Sequence, residues 1–219
     1  MSMTSTARTT ACRALLLTSL LSAPLGAQLS GLPVLQNAFA NPGLTAAIDF
    51  GSGAGSSVYA AAVSYGVRRF AFSAGLGAFT PDTGSSGPSI GGRASMQVMS
   101  FLRGAMGVSV FAGAGGGASG DVTLFQAPVG AAIGWRRALG TSRGISVYAA
   151  PIFAYHRASD DTVSVSRGLL RASFGVDLAI TRRLGITVGG EVGASPDDDE
   201  PGPNGNMAGI AIGWAFGRQ

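Results

Sequence analysis

From Leu170 to Ile180 every second residue is apolar: Leu170, Ala172, Phe174, Val176, Leu178 and Ile180. Between them stand Arg171, Ser173, Gly175, Asp177 and Ala179. A period of two places the sets on opposite faces of a β-strand. The pattern recurs between Gly-, Pro- and Asp-rich breakers at 43–51, 57–66, 69–79, 93–101, 106–115, 124–135, 145–156, 170–180, 185–194 and 207–216. That predicts ten strands, an even number, each about long enough to cross a bilayer at barrel tilt. Eight is the fallback if a terminal pair is not integral.

Composition separates two ways of using the greasy face. A soluble sandwich would pack it on a second sheet; a membrane barrel would turn it to lipid. Only 12% of the 219 residues are charged, about half the fraction usual in soluble domains. No apolar run reaches the roughly 18 residues of a membrane helix. The breakers also sort by charge. One set, with the C-terminus, holds Arg68, Arg69, Arg103, Arg136, Arg137, Arg143, Arg182, Arg183 and Arg218 without an acid. The other holds Asp82, Asp121, Asp160, Asp161, Asp197, Asp198, Asp199 and Glu200, against Arg157 and Arg167. The first set reads as short turns and the second as longer loops. Two unlike ends suit an object with two unlike aqueous sides. The predicted fold is therefore all-β: a closed antiparallel up-and-down transmembrane β-barrel. Closure follows because an open edge in hydrocarbon strands unpaired backbone groups.

The outward sets, such as Tyr59/Ala61/Val63/Tyr65, Met96/Val98 and Ile210/Ile212/Trp214/Phe216, carry no charge. Tyr65, Trp135, Tyr155, Trp214 and Phe216 fall near segment ends, where an aromatic girdle belongs. The inward sets contain Asp49, Arg93, Gln97, Gln126, Arg171, Asp177 and Glu191 among Gly, Ala and Ser. A charge in a narrow interior needs a partner. Arg171 is expected to meet Glu191, Arg93 to pair with Asp49 across the lumen, and Asp177 to find Thr187. These seven predict either a salt-bridge network closing the barrel or the lining of a narrow polar pore.

The N-terminus reads as a secretory signal over 1–27: Arg8 and Arg13 without acids, an apolar core ALLLTSLLSA, then PLGA before Gln28. The single cysteine, Cys12, would leave with it, so no disulfide or thiol chemistry is expected. Residues 28–42 form a tail or plug segment ahead of the barrel at 43–219. Without lysine and without a basic face, nucleic-acid binding is not indicated.

The strand pattern and the closing strand GIAIGWAFGRQ resemble the small outer-membrane β-barrels of Gram-negative-type bacteria, the opacity/OmpA-type and porin-like barrels. In such families the last strand alternates apolar residues and ends on an aromatic, as Ile210, Ile212, Trp214 and Phe216 do here, although three residues follow Phe216. The resemblance implies a place in the outer membrane among lipid and lipopolysaccharide. It also implies recognition of the last strand by the barrel-assembly machinery. It implies a non-enzymatic structural or surface role, with a narrow pore for small solutes as a further possibility; oligomeric state is left open.

Candidate chemistry is sparse. His156, the only histidine, precedes Asp160 and Asp161. Omptin-type proteases are ten-stranded and use His and Asp at the external rim, so an embedded hydrolase using His156 and a loop Asp is the alternative. Against it, the strands are expected to exceed the membrane only slightly, leaving no tall rim for a cleft. Ser159, Ser164 and Ser166 beside His156 do not define a lipase-like pair. SPDDDEPGPNGN lacks the spaced ligands of a calcium loop; GAGGGASG lacks a phosphate-loop lysine. No cofactor and no metal is expected. A soluble secreted sandwich is the third reading.

The charge sorting fixes an orientation to test. Cysteines at Ser85, Ser159 or Gly205 should react with an impermeant thiol label on intact cells, and cysteines at Gly104 or Thr141 should stay unlabelled. The opposite pattern inverts the barrel, and labelling at all five removes the spanning arrangement.

Overall fold

A computed structural model describes residues 38–53, 56–82, 85–160, 163–193 and 206–216. Ten strands follow one another: β1 (Gly43–Gly53), β2 (Ser56–Val67), β3 (Phe70–Pro81), β4 (Gly87–Phe101), β5 (Met106–Ser119), β6 (Val122–Ala138), β7 (Gly144–Ser159), β8 (Ser164–Ala179), β9 (Leu184–Gly193) and β10 (Met207–Phe216). Each pairs antiparallel with its sequence neighbours, and β1 pairs with β10, from Leu44 opposite Phe216 to Gly53 opposite Met207. The sheet is closed, an up-and-down ten-stranded antiparallel barrel.

The register sets the tilt. From Asp49, partners run through Ala60, Gly77, Ser89 and Gly117 to Leu124 on β6. The other way they run through Ala211, Thr187, Asp177 and Ser146 to Arg136 on the same strand. The two paths close twelve residues apart, from Leu124 to Arg136. With a rise of about 3.3 Å per residue and a strand spacing of about 4.8 Å, that stagger gives a tilt of about 40°. At this tilt the ten residues of β9 or β10 stand about 25 Å tall, just the apolar band of an outer-membrane barrel. The seventeen residues of β6 stand about 43 Å tall.

The alternation falls as expected. Ile48, Tyr59, Leu76, Phe153, Leu170 and Ile212 are exposed on the outer face, whereas Ala47, Ala60, Ala150, Ile152 and Ala211 are buried inside. The outer sets carry no charge in the apolar band; Arg137 and Arg157 face outward only near the ends of β6 and β7. Small inward residues let the lumen fill without splaying the wall.

Three features differ from the sequence reading. The strands run further than the apolar alternation: β4 starts at Gly87, β5 and β6 meet across Gly120 and Asp121 alone, and β8 starts at Ser164. Beyond the apolar band the ladder continues with Gly, Ser and Thr facing outward, since main-chain hydrogen bonds do not need an apolar side chain. The acidic connections are thus not uniformly longer than the basic ones; only β9 to β10 is long. Second, β6 to β8 do rise well past the apolar band. β8 pairs with β9 only from Arg171 onward, while β7 and β8 stay paired up to Ser159 opposite Ser164, so one side of the barrel has a tall wall at the loop end. Third, a bulge between Gln97 and Met99 inserts Val98. Met99 then takes the outward position opposite Val108, and both Val98 and Met99 are exposed. One extra residue shifts the parity of everything after it.

The chain before β1 enters the lumen. Ala38 and Phe39 are buried and pack with Phe111, Ala132, Ala150, Ile152 and Ala154. Two inward glycines make the seat: a Cβ on Gly107 would lie 2.7 Å from the Phe39 ring, and one on Gly134 would lie 2.8 Å from the Ala38 Cβ. Arg136 closes it, with its guanidinium 4.5 Å from the Phe39 ring centre and its Nε–H donating to the Gly104 carbonyl at 2.9 Å. Residues 38–42 thus cross the turn-end mouth from the β5–β6 wall to Gly66 on β2, where the Asn41 carbonyl lies against the wall. Residues 1–37, with the proposed signal, lie outside the described residues.

The lipid face gives a measurable expectation. Val176→Arg should cost about 2–4 kcal/mol of folding free energy in lipid vesicles if it lies near the bilayer centre. Ser142→Arg, in a turn, should cost less than about 0.5 kcal/mol. Denaturant titration of both variants checks this; equal tolerance removes Val176 from the lipid face.

Candidate functional site in the lumen

The seven inward polar residues all project into the lumen or its wall, but they do not form one network. Arg171 and Glu191 meet as a buried ion pair, Nε to Oε1, each side chain under a tenth exposed. Their pairing is diagonal: Arg171 stands opposite Gly193, and Glu191 opposite Ser173. Gly193, at φ +149°, accepts a backbone shape that side chains disfavour, and a Cβ there would lie 2.7 Å from the Arg171 Cα. Glycine allows the close approach that brings the pair together. Asp177 accepts hydrogen bonds from Ser146 Oγ at 2.7 Å and Thr187 Oγ1 at 2.8 Å, two neutral donors supplied by the flanking strands.

Asp49 and Arg93 do not pair directly. They face one another electrostatically, yet both Asp49 carboxylate oxygens are buried without a hydrogen-bond partner among the described residues. Strands β1 and β4 are separated by β2 and β3, so the small Ala and Gly residues between them leave a gap the side chains do not span. Arg93 instead lies with its guanidinium 5.9 Å from the Phe111 ring centre. Gln97 accepts a hydrogen bond from the Ala40 N–H at 3.4 Å and so ties the entering chain to β4. Gln126 lies opposite His156 across the β6–β7 ladder.

His156 points inward between Gln126 and Arg167, and its Nε2 is buried without a hydrogen-bond partner among the described residues. Asp160 accepts a hydrogen bond from the Val163 N–H at 2.7 Å, within the β7–β8 connection. Asp161 lies outside the described residues. No hydrogen bond joins His156 to Asp160 among the described residues.

Two further groupings organise the lumen, and the sequence pattern did not single them out. Val58, Phe79 and Met207 bury one another with Leu124 packed on them. They come from β2, β3, β10 and β6, so this apolar cluster crosses the loop-end half of the lumen. Below it, on the turn side, lies a cavity of about 230 Å³ lined by Thr45, Ser64, Ser73, Arg93, Ser95 and Asp177, among others. A vestibule of about 800 Å³ opens at the turn end, where Arg103, Arg136, Arg137, Arg143 and Arg182 converge. Phe39 and Asn41 line both spaces and stand between them. The inward Phe79 and Leu124 carried the signal: each is a large apolar residue on an otherwise small or polar face.

Of the five girdle candidates, Tyr65, Trp135, Trp214 and Phe216 lie on the outer face toward the turn end, exposed by 36–53%. Tyr155 lies toward the loop end, where its ring is 6.5 Å from Phe125. Phe50 and Tyr59, 5.0 Å apart, are a second loop-side pair absent from the sequence set.

No family model matches the chain, and no curated protein matches it in sequence. Solved structures do. The N-terminal β-barrel domain of Pseudomonas aeruginosa OprF is 8% identical with a TM-score of 0.39, covering 79% of this chain and 96% of that one. The KdgM porin, solved in complex with disordered oligogalacturonate, is 8% identical with a TM-score of 0.41, covering 79% and 99%.

The Arg171–Glu191 pair predicts a distinct stability pattern. Glu191→Leu alone leaves a buried guanidinium uncompensated and should destabilise by about 3–5 kcal/mol. Adding Arg171→Met should recover most of that loss. Urea unfolding of refolded barrels checks it; no recovery in the double variant would mean the two groups do not act as a pair.

Proposed function

We propose that this chain is a non-enzymatic barrel of the bacterial outer membrane whose lumen is closed at rest, with a structural or surface role. The observation that carries the reading is the apolar cluster of Val58, Phe79, Met207 and Leu124 across the loop-end half of the lumen. A water-filled path needs polar walls. Here the loop-end half holds an apolar bridge and an ion pair that satisfies itself, while Phe39 occupies the turn-end mouth.

The charge sorting supports basic turns on the periplasmic side and acidic connections outside. The apolar outer face supports contact with membrane lipid and lipopolysaccharide. The last strand, with Ile210, Ile212, Trp214 and Phe216 exposed outward, supports recognition by the barrel-assembly machinery. The aromatic side chains at both ends support anchoring at the two interfaces.

A second reading, a narrow pore for small solutes, draws on one observation: the polar cavity reaching up to Arg93 from the turn end. Conduction would then require the loop-end cluster to move.

Single-channel recording separates the two. Refolded mature protein should give no discrete current steps in planar bilayers. Leu124→Ser with Phe79→Ser should introduce steps if the apolar cluster is the seal. Reproducible steps in the unaltered protein would replace the closed reading with the pore.

A further inference from the structure

We propose that the turn-side cavity of the lumen is a binding pocket for a small free oxyanion, such as phosphate, sulfate or a short carboxylate, anchored by Arg93. A guanidinium carries five N–H donors and no acceptor. Arg93 lines the cavity of about 230 Å³, and no hydrogen bond or direct ion pair joins it to an acceptor among the described residues. Its contacts are the face of Phe111 and the longer-range charge of Asp49. Arg93 is half-buried with its free N–H donors facing the cavity, and there an anion is a stronger acceptor than water.

A second group points the same way. Ser73 Oγ lines the same cavity and is buried without a partner among the described residues. Thr45, Ser64 and Ser95 bring further hydroxyls to the wall, Ser95 donating to the Ala71 carbonyl at 3.4 Å. A cation with several hydroxyl donors suits an oxyanion, whose oxygens accept only.

The charges around the pocket favour the same sign. Arg182 and Arg183 line its lower edge. Asp177 is the acid on its wall, already held by Ser146 and Thr187. Asp49 acts on Arg93 from a distance and opposes binding in part. The arginine-lined vestibule beneath concentrates anions at the entrance, because a concave low-dielectric wall of one sign focuses the field.

Size narrows the ligand. The cavity holds roughly seven or eight water volumes, room for a single oxyanion with some of its hydration. Its place inside the wall, behind Phe39 and Asn41, favours a diffusing ion over a lipid headgroup.

The test uses the full mature chain refolded in a non-ionic, phosphate-free detergent at low ionic strength. Inorganic phosphate should bind by calorimetry, and its addition should shift the Arg93 side-chain Nε–H resonance. Arg93→Gln should weaken binding at least about tenfold, and Ser73→Ala about threefold. Arg69→Gln, on the exposed turn, should leave affinity unchanged. Heat-modifiable gel migration certifies each barrel as folded. Should Arg93→Gln not fold, Arg93→Lys keeps the charge while losing the fork, and should still weaken binding several-fold. Equal affinity in a folded Arg93 variant, or an unmoved Arg93 resonance on phosphate addition, overturns the site. Displacement of phosphate by phosphatidylglycerol in mixed micelles overturns its assignment to a free ion.

Discussion

Inside a hydrocarbon layer the peptide backbone finds no water, so each N–H and C=O must be paired within the protein. In a chain whose spans are about ten alternating residues, the only way to meet that demand is to join the first strand to the last. The β1–β10 seam does so over ten residue pairs, from Leu44–Phe216 to Gly53–Met207. The remaining architecture follows from the seam. A stagger of twelve residues sets the tilt, the tilt sets the height, and the height decides which residues meet lipid and which meet water. Local breaks are absorbed without opening the sheet. The lapse of the β5–β6 ladder beside Pro128, which has no N–H, sits where β6 stays paired with β7, and the bulge at Val98 lies just past Met96, where the β3–β4 ladder ends.

Closure creates the second problem, an interior too narrow to hydrate every polar group. The chain meets it in three ways. Arg171 and Glu191 neutralise one another. Asp177 borrows neutral hydroxyl donors from adjacent strands. Large apolar residues, Phe39 below and the Val58–Phe79–Met207–Leu124 cluster above, take up space that water would otherwise fill. Arg93 and Asp49 fit none of these patterns and keep unmet bonding capacity, as do Ser73 and His156 among the described residues.

How much of this was legible depends on which force sets each feature. Face and strand number were readable because lipid excludes charge and the pleat alternates: Tyr59, Phe153 and Ile212 lie where the period of two puts them. The Arg171–Glu191 contact was readable because it joins adjacent strands at similar height. The supposed Arg93–Asp49 contact was not, because two strands of curvature, β2 and β3, intervene and periodicity carries no information on distance across a barrel. Strand ends were misjudged wherever Gly and Ser continued the ladder beyond the apolar band, as at Gly87 and Ser164. The seat of Phe39 was hidden because Gly107 and Gly134 read as generic small residues until the barrel brings both to one spot.

The unequal heights of the wall bear on the bilayer itself. Beside β9 and β10 the apolar band spans about 25 Å, less than the roughly 30 Å of a typical hydrocarbon core. A shorter span is met by thinning the bilayer, at a fraction of a kcal/mol for each ångström of mismatch. On the β6–β8 side the sheet continues upward, but with Gly168, Ser166 and Ser164 facing outward above Leu170, so the apolar band is no taller there. The added height of β6–β8 would therefore stand in water above a bilayer, giving the barrel one flank that reaches further from the membrane than the other.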